Sequence, residues 1–286
     1  MNYGGIITPL ITPVRKNNVD YESLGFLLDF LVENGIEGVF PGSSTGAFTL
    51  FSMKDHEKIL EYVAKNLKKN VIKLAGISRN NIDETVELGR KAVDLGYDGA
   101  VVITPYYLKF GQEDLYNYYS IIAENLDMDI FIYNNPELSG NYIDASTISR
   151  LMVEYPNIVG VKDSSGDMRK FNLYFTDLPG KVYVFQGRDD LLLPSVLMGA
   201  SGGVCGTSNF SPLIHEVFIE KSLEKHFKIV DAMKILRKYN NSVSYNYLFL
   251  RLVRNIDTDD YAIYPYSPLK KEEREDLENV IRIFRV

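Results

Sequence analysis

The chain has 286 residues, enough for one large barrel or two ordinary domains, and its 45% apolar and 24% charged content is that of a soluble globular protein. A net charge of −7 with no Lys/Arg cluster argues against a nucleic-acid surface. A single cysteine, Cys205, excludes an internal disulfide and suits a reducing cytoplasm as a small buried residue, and His56, His215 and His226 are too scattered for a metal site.

The opening MNYGGIITPLITP has no basic stretch and is broken by prolines, so it does not read as a signal peptide. From Gly5 onward, β-branched runs alternate with helix-period segments. The runs are GIITPLITP, GVFPGS from Gly38, VIKLAGIS from Val71, GAVVITPYY from Gly99, DIFIYNNP from Asp129, IVGVKDSSG from Ile158, VYVFQGRDD from Val182 and GGVCGTSN from Gly202. Near-continuous apolar runs suit parallel strands covered on both faces. Between the first two, YESLGFLLDFLVENG sets Leu24, Leu27, Leu28 and Leu31 on one stripe of a helix. After the second, Ser52 precedes Asp55 by three positions, a capping-box start for SMKDHEKILEYVAKNL. The uncharged stretch Leu191 to Ile214 is interrupted by two prolines and four glycines, which makes it a buried helix-loop-strand and not a membrane span.

Eight strands, each followed by a helical segment, predict a closed (β/α)₈ TIM barrel. No Gly-x-Gly-x-x-Gly follows the first strand to favour a dinucleotide fold. The barrel is expected over residues 1–212. Its last helix and a C-terminal helical extension, with helical periodicity in HFKIVDAMKILRKYNN and EEREDLENVIRIF, are expected over 213–286.

In such barrels chemistry gathers where strands end. The ends here read GSSTG, TPYY, YNNP, KDSSG, GRDD and GTSN. They offer no Ser-His-Asp set and no metal ligands. What they do offer is one lysine, Lys162, with several tyrosines, hydroxyls and backbone amides. A lysine amine can form an iminium with a ketone, and that iminium accepts electrons as a neighbouring carbon–carbon bond breaks. A free lysine leaves only about one amine in 2,500 neutral at pH 7, and burial on an apolar strand favours the neutral form. A tyrosine could then shuttle the hydroxyl proton. The GSSTG amides and hydroxyls could hold a carboxylate as an anion nest.

Each residue also has a plainer role. Lys162 could pair with an acid, although Asp163, its neighbour on a strand, points to the other face. Tyr133 could be a core aromatic, and GSSTG could cap the helix near Ser52. Tyr106 and Tyr107 could be packing residues, and Asp189 and Asp190 could be solvent-facing first residues of the next helix.

The motifs GSSTG, TPYY, YNNP, GVKDSSGD and GRDD, in this order from GIITPLITPV to about Pro212, resemble the pyruvate-dependent class I aldolases of the dihydrodipicolinate synthase and N-acetylneuraminate lyase superfamily. The resemblance implies Lys162 as the Schiff-base lysine and Tyr133 as the general acid/base. It implies Ser44 and Thr45 as carboxylate binders, and Ser164, Gly187, Asp189 and Gly206 as the lining for the rest of the substrate. Tyr107 would reach toward a neighbouring subunit, so a homodimer or homotetramer is implied. No cofactor is implied, because the iminium is the electron sink. The partner is a small 2-keto sugar acid, with no nucleic acid and no membrane.

Departures from the family pattern help to choose among its members. Leu138 stands where dihydrodipicolinate synthases usually have an arginine clamp for the aldehyde partner's carboxylate. Ala47 stands where those enzymes and the sialic acid lyases typically have glutamate, and an uncharged residue there resembles the archaeal-type 2-keto-3-deoxygluconate aldolases. NPELSG, in contrast, resembles sialic acid lyase. The expectation is a cytoplasmic aldolase that cleaves 2-keto-3-deoxygluconate to pyruvate and glyceraldehyde. The alternatives are N-acetylneuraminate lyase, then dihydrodipicolinate synthase, or a barrel that binds sugar acids without turnover. Phe110 stands where a phosphate-accepting relative would have arginine, which leaves Lys109 and Arg188 as possible phosphate anchors.

Overall fold

A computed structural model describes residues 1–67 and 70–284 of the chain. The expected strands form as β1 (Gly5–Pro9), β2 (Gly38–Phe40), β3 (Ile72–Gly76), β4 (Gly99–Ile103), β5 (Asp129–Asn134), β6 (Ile158–Asp163), β7 (Tyr183–Gln186) and β8 (Gly202–Val204). Among the described residues these eight close a barrel in chain order. The architecture is a (β/α)₈ TIM barrel. Strands β1, β2, β4 and β8 are buried at every position, as expected where both faces of a parallel sheet are covered.

The helices follow as α1 (Tyr21–Glu33), α2 (Met53–Asn66), α3 (Ile82–Asp94), α4 (Gln112–Asn125), α5 (Pro136–Ser139), α6 (Ala145–Glu154), α7 (Met168–Thr176) and α8 (Leu192–Leu197). Beyond the last strand come α9 (Leu213–Glu220), α10 (Leu223–Leu236), α11 (Asn241–Leu252) and α12 (Lys271–Phe284). Helix α1 buries the predicted Leu24, Leu27, Leu28 and Leu31. The Ser52 hydroxyl caps α2 by accepting from the Asp55 amide and donating to the Asp55 carboxylate at 2.7 Å. Among the described residues no helix is long and apolar enough to cross a membrane.

Two elements escape the periodicity. Val14–Arg15 and Asn18–Val19 pair antiparallel around Lys16 and Asn17, both at positive φ; arms of two residues are too short to show alternation. Helix α11 is buried on nearly every side from Ser242 to Leu250, so its sequence shows no single apolar stripe.

The chain divides into two compact units. The first, Met1–Gly4 with Ile72–Val204, holds β3 to β8. At the amino ends of its strands the Tyr3 hydroxyl donates to the Asp98 carbonyl at 2.5 Å and to the Asp129 carboxylate at 2.8 Å. Burial and the Asp129 charge push the Tyr3 phenol well above its ordinary value, so it stays a donor. The second unit, Gly5–Val71 with Cys205–Val286, holds β1, β2 and α9 to α12, with Ile7 in register with Gly38. Cys205 is fully buried.

Candidate active site

In the first unit, β5 and β6 lie side by side with Tyr133 in register with Lys162 and Asn134 with Asp163. In-register neighbours of parallel strands share a face, so Lys162 and Tyr133 meet. The Lys162 ammonium nitrogen stands 3.6 Å from the centroid of the Tyr133 ring, and both residues are 4% exposed.

Asp163 turns the other way. Its carboxylate accepts from the Asn134 amide at 2.8 Å, from the Tyr174 hydroxyl at 2.7 Å, and from the Ser165 backbone and hydroxyl at 2.9 and 2.7 Å. Burial, followed by the Asp163 charge, pushes Tyr174 well above the ordinary tyrosine value, so it remains a donor. The strand alternation anticipated from sequence therefore separates the two: Lys162 shares the face of Tyr133, while Asp163 anchors the end of its strand.

Burial pushes the Tyr133 phenol up. The Lys162 charge outweighs that together with hydrogen bonds from Ser164, Asn135 and Lys162, so Tyr133 ionises below the ordinary tyrosine value. The pair is thus built for proton exchange. A phenolate beside an ammonium is one proton transfer from a phenol beside a neutral, nucleophilic amine.

Ser164 is held against this pair from behind. A side chain at Gly187 would put its Cβ 2.0 Å from the Ser164 hydroxyl and 2.9 Å from the Asp163 carbonyl, so only glycine fits. The Gly187 amide donates to that carbonyl at 2.6 Å. We expect Gly187→Ala to push Ser164 aside and cost about 1–3 kcal/mol of stability, as overpacking does, to be read as a lowered midpoint in chemical denaturation. A native midpoint would show that Ser164 moves freely.

Asp189, expected either in the pocket or facing solvent, is buried, in the short 3-10 turn Asp189–Leu191 that precedes α8. Arg188 donates to the Ser164 carbonyl at 3.0 Å and is ion-paired with Glu137. Lys109 donates to the Gly140 carbonyl. Both candidate phosphate anchors therefore already hold partners.

Tyr107 is 91% exposed with φ near +80°, a conformation unusual for any residue but glycine. Its amide donates to the Ser139 carbonyl, and the adjacent loop is pinned by Asn141, whose side-chain amide donates to the Pro105 and Leu108 carbonyls at 2.7 Å each. Leu138 is likewise exposed.

In the second unit, the GSSTG loop follows β2. The Ser43 hydroxyl donates to the Leu10 carbonyl at 3.0 Å and accepts from the Gly46 amide at 3.1 Å, which commits Ser43 to shaping the turn. Ser44 and Thr45 are half-buried. The loop is not a cap for α2, because the 3-10 turn Phe48–Leu50 and the Ser52 cap lie between them. Gly206 opens the turn Gly206–Asn209, and a Cβ there would lie 2.3 Å from the Tyr245 ring. Asn209 locks that turn to β1 by donating to the Pro9 carbonyl at 2.9 Å.

Sequence reasoning missed Asn135, Asn141 and the Arg188–Glu137 pair. The only signal was Asn135 and Asn141 themselves, side-chain amides on either side of a short Pro-led helix, where such groups often bond nearby backbone.

Residues 2–284 match the model of the dihydrodipicolinate synthetase family. A 2-dehydro-3-deoxy-D-gluconate/2-dehydro-3-deoxy-phosphogluconate aldolase of Picrophilus torridus is 38% identical over 251 residues, covering 85% of this chain and 93% of that protein. The structure of the 2-keto-3-deoxygluconate aldolase from Picrophilus torridus superposes with a TM-score of 0.87 at 36% identity, covering 94% of this chain and 98% of that one. A chloride-inhibited dihydrodipicolinate synthase from Acinetobacter baumannii, complexed with pyruvate, superposes at a TM-score of 0.91 and 31% identity over 100% of both chains. Barrel topology, the paired strand ends carrying Lys162 and Tyr133, and a match over nearly the whole length agree: the chain belongs to the dihydrodipicolinate synthetase family of lyases.

Proposed function

We propose that the protein is a class I aldolase that reversibly cleaves 2-keto-3-deoxygluconate to pyruvate and glyceraldehyde. The observation that carries this is the Lys162 amine 3.6 Å from the Tyr133 ring, on strands in register. The Tyr133 phenolate takes the Lys162 proton, and the freed amine adds to the C2 ketone. The Tyr133 phenol then protonates the carbinolamine hydroxyl, which leaves as water to give an iminium, and Tyr133 becomes a phenolate again. The C3–C4 bond then breaks, its electrons neutralise the iminium as an enamine, and the C4 hydroxyl proton passes to the Tyr133 phenolate as glyceraldehyde leaves. Protonation at C3 and addition of water release pyruvate and restore the amine.

Ser44 and Thr45 are assigned to the substrate carboxylate, Ser164, Gly187, Asp189 and Gly206 to the rest of the substrate, and Tyr107 to a neighbouring subunit in a homodimer or homotetramer. The exposure and positive φ of Tyr107 support that last assignment, since strain of this kind collects at functional positions. Leu138 in place of an arginine clamp disfavours the dihydrodipicolinate reaction. A panel of unphosphorylated, phosphorylated and N-acetylated 2-keto-3-deoxy acids, coupled to pyruvate detection, tests the assignment. Preferential cleavage of N-acetylneuraminate would replace it with the lyase alternative, and no pyruvate from any acid would favour a binding barrel.

Within that panel the plain acid should exceed its 6-phosphate in kcat/KM by at least about tenfold, or roughly 1.4 kcal/mol in transition-state binding. Lys109 and Arg188 are engaged by Gly140, Ser164 and Glu137, and the Asp189 and Asp190 carboxylates would repel a nearby phosphate. The Picrophilus torridus relative is named for both acids, so the comparison is a sharp one. Equal or better cleavage of the phosphorylated acid would overturn the expectation and point to Lys109 or Arg188 leaving its present partner.

A further inference from the structure

Position 135 falls between the last residue of β5 and the first of α5, where a side chain has two local duties open to it. Asn135 is 7% exposed and performs both. Its side-chain oxygen accepts from the Leu138 amide and caps the short helix. Its side-chain nitrogen donates to the Tyr133 phenol oxygen at 2.8 Å. The cap turns the oxygen toward the helix and so directs the NH₂ group at the phenol.

We propose that Asn135 is a positioning residue for the reaction, a fixed donor that holds the Tyr133 oxygen and directs its exchangeable proton toward Lys162 and Ser164. The proposal rests on the aldolase assignment for its role in turnover, but not for its effect on Tyr133 itself. An amide N–H can donate and cannot accept. With Asn135 occupying one lone pair as a donor only, the phenol proton is left to exchange with the other two partners, Lys162 and Ser164.

Asn135 also differs in kind from the other groups around the phenol. Lys162 is the ionisable group acting on Tyr133, and Ser164 and Asn135 are its neutral hydrogen-bond partners. The lysine becomes ammonium, amine, carbinolamine and iminium in turn during the cycle, so its pull on the phenolate changes at each step. The Asn135 dipole carries no proton to lose and acts equally throughout. It keeps Tyr133 usable as a base at the stages when the lysine charge is gone.

Two substitutions separate this role from helix capping. Asn135→Asp keeps an equally good cap but puts a carboxylate where the donor was, whereas Asn135→Val removes both. Tyr133 ionisation is read without substrate, as the tyrosinate absorbance difference between each protein and the same protein carrying Tyr133→Phe. The titration should move up by about one pH unit in Asn135→Val, the shift that corresponds to a 1.36 kcal/mol loss of phenolate stabilisation. It should move further in Asn135→Asp. Both variants should still form a borohydride-trapped pyruvate adduct on Lys162, and the rising limb of kcat for 2-keto-3-deoxygluconate should follow the titration. If Asn135 were only a cap, Asn135→Asp would titrate and turn over as the native protein does, and that result overturns the proposal. Failure of the native protein to cleave the sugar acid would instead count against the aldolase assignment, with the substrate-free titration still deciding the role of Asn135.

Discussion

Incubation with pyruvate and borohydride should leave a reduced adduct on Lys162 and on no other lysine, and Lys162→Met should cut cleavage by on the order of 10⁶-fold, as loss of a covalent nucleophile can. Both outcomes follow from the position of the amine. Lys162 is 4% exposed at the end of an apolar strand, against an aromatic face that can also accept the methionine side chain, so the fold should survive the change. Among the described residues no other lysine lies against a tyrosine with a downshifted phenol. Peptide mass spectrometry reads the adduct site. An unmodified Lys162 in a protein that still cleaves its substrate would sink the mechanism.

Tyr133→Phe should keep the fold and some of the pyruvate adduct while lowering turnover by about 10²–10⁴-fold, the range for loss of a general acid/base. The change removes a single oxygen, yet it deprives Lys162, Ser164 and Asn135 of a common partner. The pH dependence has a definite sign. Under the proposed mechanism the phenolate is the base in the cleavage direction, so kcat of the native protein should rise with pH through the Tyr133 ionisation, which the Lys162 charge and the surrounding donors bring below the ordinary tyrosine value. In Tyr133→Phe that rising limb disappears along with the rate. Near-native turnover in the variant would mean that another group carries the proton.

The eight strands were legible in the sequence because parallel strands covered on both faces leave unbroken apolar runs, and IVGVKDSSG shows where such a run stops. Lys162 stood out for the same reason, as the charge that interrupts its run, whereas Tyr133 by itself reads as a core aromatic and was singled out only by the family resemblance. The supporting bonds were not. Arg188 reaches the Ser164 carbonyl across 24 positions of sequence and the Glu137 carboxylate across 51, and such pairings exist only once neighbouring strands have brought their loops together. Asn135 was hidden differently. It reads as an ordinary turn residue before proline, and its bond to Tyr133, two positions away, depends on the chain leaving β5 directly into α5.

The outward anchoring of Asp163 bears on how such a barrel can diversify. The groups that grip its carboxylate, Asn134, Tyr174 and Ser165, hold the end of β6 from the face opposite the amine. Loops that meet the tail of a substrate can therefore change length and chemistry while Asp163 keeps its partners and the amine keeps its place. Selection for a new aldehyde partner would then act on one set of residues and selection for the iminium step on another. Under the proposed mechanism, substrates could then be exchanged by small steps with the lysine chemistry kept throughout.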